Sequence, residues 1–226
     1  MSLELVHDTG ADAAAWRVVV LFTGDRVKSS SSTVARLSSF TGAAEAVQAR
    51  LPGSRVLVLD QPQSISWARL ADLLSQAGIS PGTSLTLVAF SSGCMQLNAL
   101  LREASLSKRD EGNQGSDDHV PRANHREAVE QRLRALRAVH YVDAGSGAPG
   151  TFWTDNLGAL ADLLSWRGVS LYLHATPRQH DDARRPWIRE EALTVAAATG
   201  ATLSRLLASE TPSLEQHFRA LELFSE

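Results

Sequence analysis

Hydrophobic positions along the chain gather into six short, nearly continuous runs: "WRVVVLF" (16–22), "SRVLVLD" (54–60), "LTLVAF" (85–90), "AVHYVDA" (138–144), "VSLYLHA" (169–175) and "ATLSRLLA" (201–208). Runs this short, without polar alternation, predict strands covered on both faces. The sixth also reads as a helix, because its leucines fall at helical spacing. Between the runs, helical patterns cover 33–51, 66–78, 94–103, 126–138, 156–168 and 186–200, and Gly78, Gly168 and Gly200 act as C-terminal stops. Strands alternating with helices predict an α/β fold: a doubly wound, mostly parallel sheet of about six strands. Counted from the N-terminus, the expected sheet order is 2-1-3-4-5-6, with a site at the carboxyl ends of the strands.

Two polar stretches interrupt this order. Residues 28–33, "KSSSST", read as a flexible loop, and 107–125 carry almost no apolar residue and read as a mobile insertion. The strand pattern resumes beyond each, so residues 1–226 are expected to form one domain. A length of 226 residues suits one sizeable α/β domain, and a hydrophobic fraction of 43% can bury a core. The net charge of −3 lacks the basic footprint that nucleic-acid binding requires. A single cysteine, Cys94, excludes an internal disulfide and fits a reducing compartment. No apolar run approaches the ~20 residues of a membrane span. The N-terminus has acidic residues and no arginine before Arg17, so it is a poor secretory signal and a poor transit peptide. An intracellular protein, not a secreted one, is expected, with import by an atypical signal left open.

Candidate chemistry sits where the third run meets a helix, in "AFSSGCMQL". A nucleophile elbow needs small residues two before and two after the nucleophile, because neighbouring backbone crowds the turn. Ala89-Phe90-Ser91-Ser92-Gly93 meets that need with Ser91 at the centre. Centring on Ser92 instead would put Phe90 and Cys94 at the crowded positions. The bland reading is a serine that caps the helix. A hydroxyl is a weak nucleophile and needs a base oriented by a carboxylate, in the chain order Ser, acid, His. His217 is the histidine that follows the last run. Asp182, after the fifth run, ranks first as the acid, with Asp181 beside it; Asp143, at the end of the fourth run, ranks second. An oxyanion hole would combine the Ser92 N–H with that of Gly24 or Asp25 in "LFTGDRV", where glycine permits close backbone approach. A negative Asp25 there is unhelpful unless it points away. His174 reads as packed, Cys94 as a core thiol, and Arg178, Arg184, Arg185 and Arg189 as a solvated face able to hold a substrate phosphate or carboxylate.

The segments "FSSGCMQLNALL", "HYVDAGSG", "LHATPRQHDDARRPWIREE" and "PSLEQHF" together resemble one eukaryotic hydrolase-like family of the α/β-hydrolase superfamily. Its human member is named after an open reading frame on chromosome 2. The resemblance runs from about Leu85 to the C-terminus, apart from the polar insertion, with "FTGD" as a fainter echo. It implies a reduced α/β-hydrolase-like fold in a mitochondrial or cytosolic setting. It also places Ser91 on the family's elbow serine, Asp143 and Asp182 on its two aspartates, and His217 on its terminal histidine. The chain departs at Ser92, where the family carries lysine, and at Ala144, where it carries glycine. The first two antiparallel strands usual in α/β-hydrolases have no counterpart among the six runs.

The function expected from these readings is serine hydrolysis of a small-molecule ester or thioester, with no metal and no cofactor. Ser91 attacks, His217 moves the proton, and Asp182 or Asp143 orients His217. The competing expectation is a catalytically silent hydrolase fold that binds a protein partner; acyl transfer to an acceptor other than water is a third.

Overall fold

In the computed structural model, residues 5–9, 16–60, 65–107 and 120–226 are described. They build a sheet of seven strands in the order β1-β3-β2-β4-β5-β6-β7. The strands are β1 (Leu5–Asp8), β2 (Arg17–Phe22), β3 (Ser54–Leu59), β4 (Ser84–Phe90), β5 (Leu136–Val142), β6 (Ser170–Ala175) and β7 (Thr202–Arg205). From β3 to β7 all neighbours pair in parallel, in the order expected from the runs. The sheet is mostly parallel as expected, and β1 adds a seventh strand to the six runs, paired antiparallel to β3 at the edge of the sheet. One antiparallel strand is therefore present at the N-terminal end. Its four residues, "LVHD", alternate too briefly to announce a strand.

Helices cover both faces, so the central strands are mostly apolar on both sides. On one face α3 (Trp67–Gln76), α4 (Cys94–Ser107), α6 (Leu157–Arg167) and α8 (Trp187–Thr199) pack against Val18, Val20, Phe22, Leu87 and Tyr141. On the other, α1 (Ser32–Leu37), α2 (Phe40–Arg50) and α9 (Leu214–Leu223) cover Val19, Leu21, Val58, Val88 and Val142. Alternate residues of one strand thus serve two cores.

Three boundaries differ from the expected ones. The helix over 33–51 is two helices, because Ser39 turns from its predecessor and caps α2 by accepting the Gly42 N–H (3.0 Å). Gly42 lies so close to the Arg36 carbonyl that any side chain there would collide with it. The serine run is partly helical as well: Ser31 accepts the Val34 N–H (3.4 Å) as N-cap, and α1 starts at Ser32. Helix α5 (Val120–Ala135) begins inside the stretch taken as an insertion, and β5 follows it directly. Residues 108–119 of that stretch lie outside the described residues. The ambiguous sixth run is a strand, and it is short because Leu207 takes a left-handed φ of 53°.

Register decides where the site falls. Phe22 pairs with Ala89, Phe90 pairs with Val142, and Val142 pairs with His174. Strands β2, β4 and β5 therefore end level with one another. The next residues of each chain segment, Thr23-Gly24, Ser91 and Asp143, emerge side by side.

Candidate active site

Strand β4 ends at Phe90 in an extended conformation, and Ser91 then takes φ +54° at the start of a 3-10 turn, Ser91–Gly93, that leads into α4. A non-glycine residue held there is strained by roughly 1–3 kcal/mol and persists only where packing over-determines it. Two glycines supply that packing. A Cβ on Gly93 would strike the Phe22 carbonyl oxygen, and a Cβ on Gly24 would strike Ser91 Cβ and stand 2.9 Å from Ser91 Oγ. The turn after β2 and the turn after β4 thus touch backbone to backbone. Gly24 is buried whereas Asp25 is exposed. Its charge is therefore screened by water, which removes the objection to an acidic residue in that loop.

Asp143 also has a left-handed φ, +43°, and is completely buried. Its backbone N–H donates to the His174 carbonyl (2.7 Å). Its Oδ1 accepts the Thr176 N–H (2.6 Å), and its Oδ2 accepts the Thr176 hydroxyl (2.8 Å). The same Oδ2 lies 2.6 Å from Nδ1 of His217, which is 5% exposed. A buried carboxylate needs several donors, and here it has three. Because Nδ1 faces an acceptor, it carries the proton, and Nε2 carries the lone pair.

His217 arrives on α9, whose N-cap Ser213 accepts the Gln216 N–H (3.0 Å). Its ring stacks on Phe90 at 4.6 Å and meets Phe218 edge-on at 5.3 Å. Phe90 is the residue before Ser91, and the Ser91 carbonyl accepts the N–H of Gly145 (3.2 Å), two residues after Asp143. Ser91, Asp143 and His217 are thus joined through one set of contacts. Ser92 is half-buried in the 3-10 turn.

Asp182, the first-ranked acid, is elsewhere. Its Oδ1 accepts from the Arg184 backbone N–H (3.0 Å) and Nε (3.2 Å), and its Oδ2 accepts from Arg184 Nη2 (3.4 Å) and Arg185 Nε (3.0 Å). Those bonds hold its carboxyl well below the usual carboxylate range. Asp181 faces His180 Nδ1 (2.7 Å) and accepts from Arg205 (2.6 Å). Of the two ranked aspartates, the one in contact with His217 is the second, Asp143.

Two polar groupings, Thr176 and the Tyr141–Asn98 pair, were missed in the sequence. Thr176 anchors Asp143, and its signal is a hydroxyl at the end of the strand next to the one that delivers the aspartate. Tyr141 donates to Asn98 Oδ1 (2.5 Å), and Asn98 in turn donates to the Gly150 and Thr151 carbonyls (3.1 and 3.2 Å), tying α4 to the loop after Asp143. His140 and His174 form a buried pair, Nδ1 to Nε2 at 3.3 Å, stacked beside Tyr172. Burial pushes the Cys94 thiol up to about 12, so it is an inert core group. Among the described residues no three His, Cys, Asp or Glu side chains gather as a metal site, and no helix is long and apolar enough to cross a membrane.

The C2orf69 family model matches residues 59–198, a segment that carries Ser91, Asp143 and Asp182 but neither Gly24 nor His217. The chain is 28% identical over 148 residues to the "Mitochondrial protein C2orf69 homolog" of Mus musculus, covering 63% of this chain and 36% of that protein. It is 27% identical over 146 residues to the "Mitochondrial protein C2orf69" of Homo sapiens, covering 62% and 34%. It therefore spans about a third of the length of these curated relatives. Among solved structures, a lipase/esterase from Lactobacillus plantarum superposes with a TM-score of 0.44 at 14% identity, covering 93% of this chain and 90% of that one.

Proposed function

The chain belongs to the C2orf69 family, and from that premise we propose that it is a serine hydrolase of ester or thioester bonds, with Ser91, His217 and Asp143 as its triad. The observation that carries this reading is the buried Asp143 Oδ2–His217 Nδ1 contact of 2.6 Å, joined to a strained serine through Phe90 and Gly145. A catalytically silent fold would leave both the strain and the buried ionisable pair without a use.

In the proposed reaction, Nε2 of His217 takes the Ser91 hydroxyl proton as Oγ attacks the carbonyl carbon. Asp143 keeps the imidazole in the Nδ1–H tautomer and stabilises the imidazolium that forms. The N–H of Ser92, with that of Gly24 or Asp25, receives the tetrahedral oxyanion; each such donor is worth about 3 kcal/mol of barrier. The imidazolium then protonates the leaving alcohol or thiol, and water repeats the cycle on the acyl-serine. Neutral small-molecule esters with an accessible carbonyl are the simplest substrates to try.

The test is labelling with a fluorophosphonate probe. Wild type should be labelled, Ser91→Ala should not, and His217→Ala should react far more slowly; equal labelling of wild type and Ser91→Ala would end the assignment. The mouse and human relatives are named mitochondrial proteins, which favours a mitochondrial location. Imaging a tagged form against a mitochondrial marker would check this.

A further inference from the structure

Resting on that reading of Ser91, we infer that the enzyme carries a second, anion-binding subsite beside the triad, so that its preferred esters bear a phosphate or carboxylate group. The site is an open cleft of about 300 Å³ walled by Pro177, Arg178, Asp182, Arg184, Arg185 and Pro212. Its lining is polar rather than apolar.

Charge is the first reason. Three guanidinium-bearing residues, Arg178, Arg184 and Arg185, line the cleft with two carboxylates, Asp181 and Asp182, and Arg205 pairs with Asp181 as a fourth cation. The carboxylates are already occupied: Asp182 by Arg184 and Arg185, Asp181 by Arg205 and His180. These contacts leave positive charge in excess and hold Arg184 and Arg185 at the cleft before any ligand arrives, which lowers their ordering cost on binding. Arg184 and Arg185 still have N–H groups beyond those given to Asp182. The half-buried Arg178 lies in the cleft wall, and its guanidinium has no ion pair or hydrogen bond among the described residues. A planar guanidinium fork matches two oxygens of a phosphate or carboxylate.

Position is the second reason. The short helix α7 (Pro177–His180) that bears Arg178 begins directly after Thr176, the residue that holds Asp143. The Arg178 N–H donates to Gln216 Oε1 (3.3 Å), and Gln216 precedes His217. Gln179 packs on Gly145, whose N–H holds the Ser91 carbonyl: a Cβ there would be 2.5 Å from Gln179 Nε2. Pro212 precedes the cap of α9. The cleft and the triad are therefore built on the same segments, after β6 and at the start of α9, and this is the ground for inferring that one substrate reaches both.

Two readouts test the subsite. Inorganic pyrophosphate is titrated calorimetrically into the full chain. Wild type and Ser91→Ala should bind it alike, Arg178→Ala about tenfold or more weakly, and Arg178→Lys in between. No binding by wild type, or equal binding by wild type and Arg178→Ala, overturns the subsite. In parallel, kcat/KM is measured for phenyl acetate, 4-carboxyphenyl acetate and phenyl acetate bearing a 4-phosphate. The anionic esters should exceed the neutral one by about tenfold in wild type, with the ratio falling toward one in Arg178→Ala. Which anionic ester leads tells phosphate from carboxylate. Turnover of phenyl acetate with no anion preference sinks the subsite and leaves the hydrolase standing. Arg178-dependent pyrophosphate binding without any ester cleavage sinks the hydrolase and leaves the anion site.

Discussion

Two aspartates end neighbouring parts of the same sheet edge and have opposite fates. Asp143, at the end of β5, is completely buried, takes three hydrogen-bonding partners from Thr176 and His217, and sits in a left-handed backbone conformation. Asp182, beyond β6, lies in a surface turn, where Arg184 and Arg185 surround it. Both carboxylates are fully partnered, so hydrogen-bond count does not separate them. Burial does: a charge removed from water orients an imidazole strongly, whereas an exposed ion pair is worth little. The comparison predicts that the first acid governs chemistry and the second only the shape of a cleft.

Asp143→Asn should give the largest effect, lowering kcat/KM for a neutral ester by about 10⁴ through the wrong imidazole tautomer. The matching Asp182→Asn change should lower it by less than tenfold, through looser Arg184 and Arg185. If the two losses were equal, the distinction drawn from burial would be lost. Next in size is Gly24→Ala, whose added methyl collides with Ser91. It should reduce turnover by about 10²–10³ as the oxyanion loop is pushed away, and acyl-enzyme burst kinetics would reveal it.

The buried His140–His174 pair sharpens the comparison with pH. Burial lowers both, His140 to about 3, with His174 and Arg17 adding to the effect, and His174 to about 4. In the unfolded chain each sits near 6.5. Between those values the unfolded chain binds more protons, so stability is complete above about pH 6.5 and falls as pH drops toward 4. Urea unfolding at pH 7.5 and pH 5.0 should differ by on the order of 3 kcal/mol, and replacing His140 with Phe should flatten the slope. The smallest effect expected is that of Thr176→Val. It removes one hydroxyl from Asp143 while keeping the backbone donor, and should cost about 1–3 kcal/mol of stability by denaturant titration.

Much of the frame was legible because it depends on local pattern. The β4 run, the small residues around Ser91 and the glycines after α6 and α8 each answer to one turn's geometry. The sheet order followed from alternating strands and helices. What was not legible depends on register and on contacts between distant segments. Asp143 and Asp182 both follow apolar runs, and nothing local says which meets a histidine more than thirty residues further on. That is decided by Val142 ending level with Phe90 and His174. Strand β1 was invisible because four residues carry no usable period, and the break between α1 and α2 because it depends on a glycine packed against a carbonyl in the preceding turn. Thr176 is a hydroxyl like many others until the neighbouring strand brings a carboxylate to it.

The most direct measurement is peptide mapping, by mass spectrometry, of the adduct formed with a fluorophosphonate. The account predicts a single phosphonylated site at Ser91, formed fast in wild type and slowly in Asp143→Asn. An adduct on Ser92 or any other serine, or a rate that ignores Asp143, would contradict it.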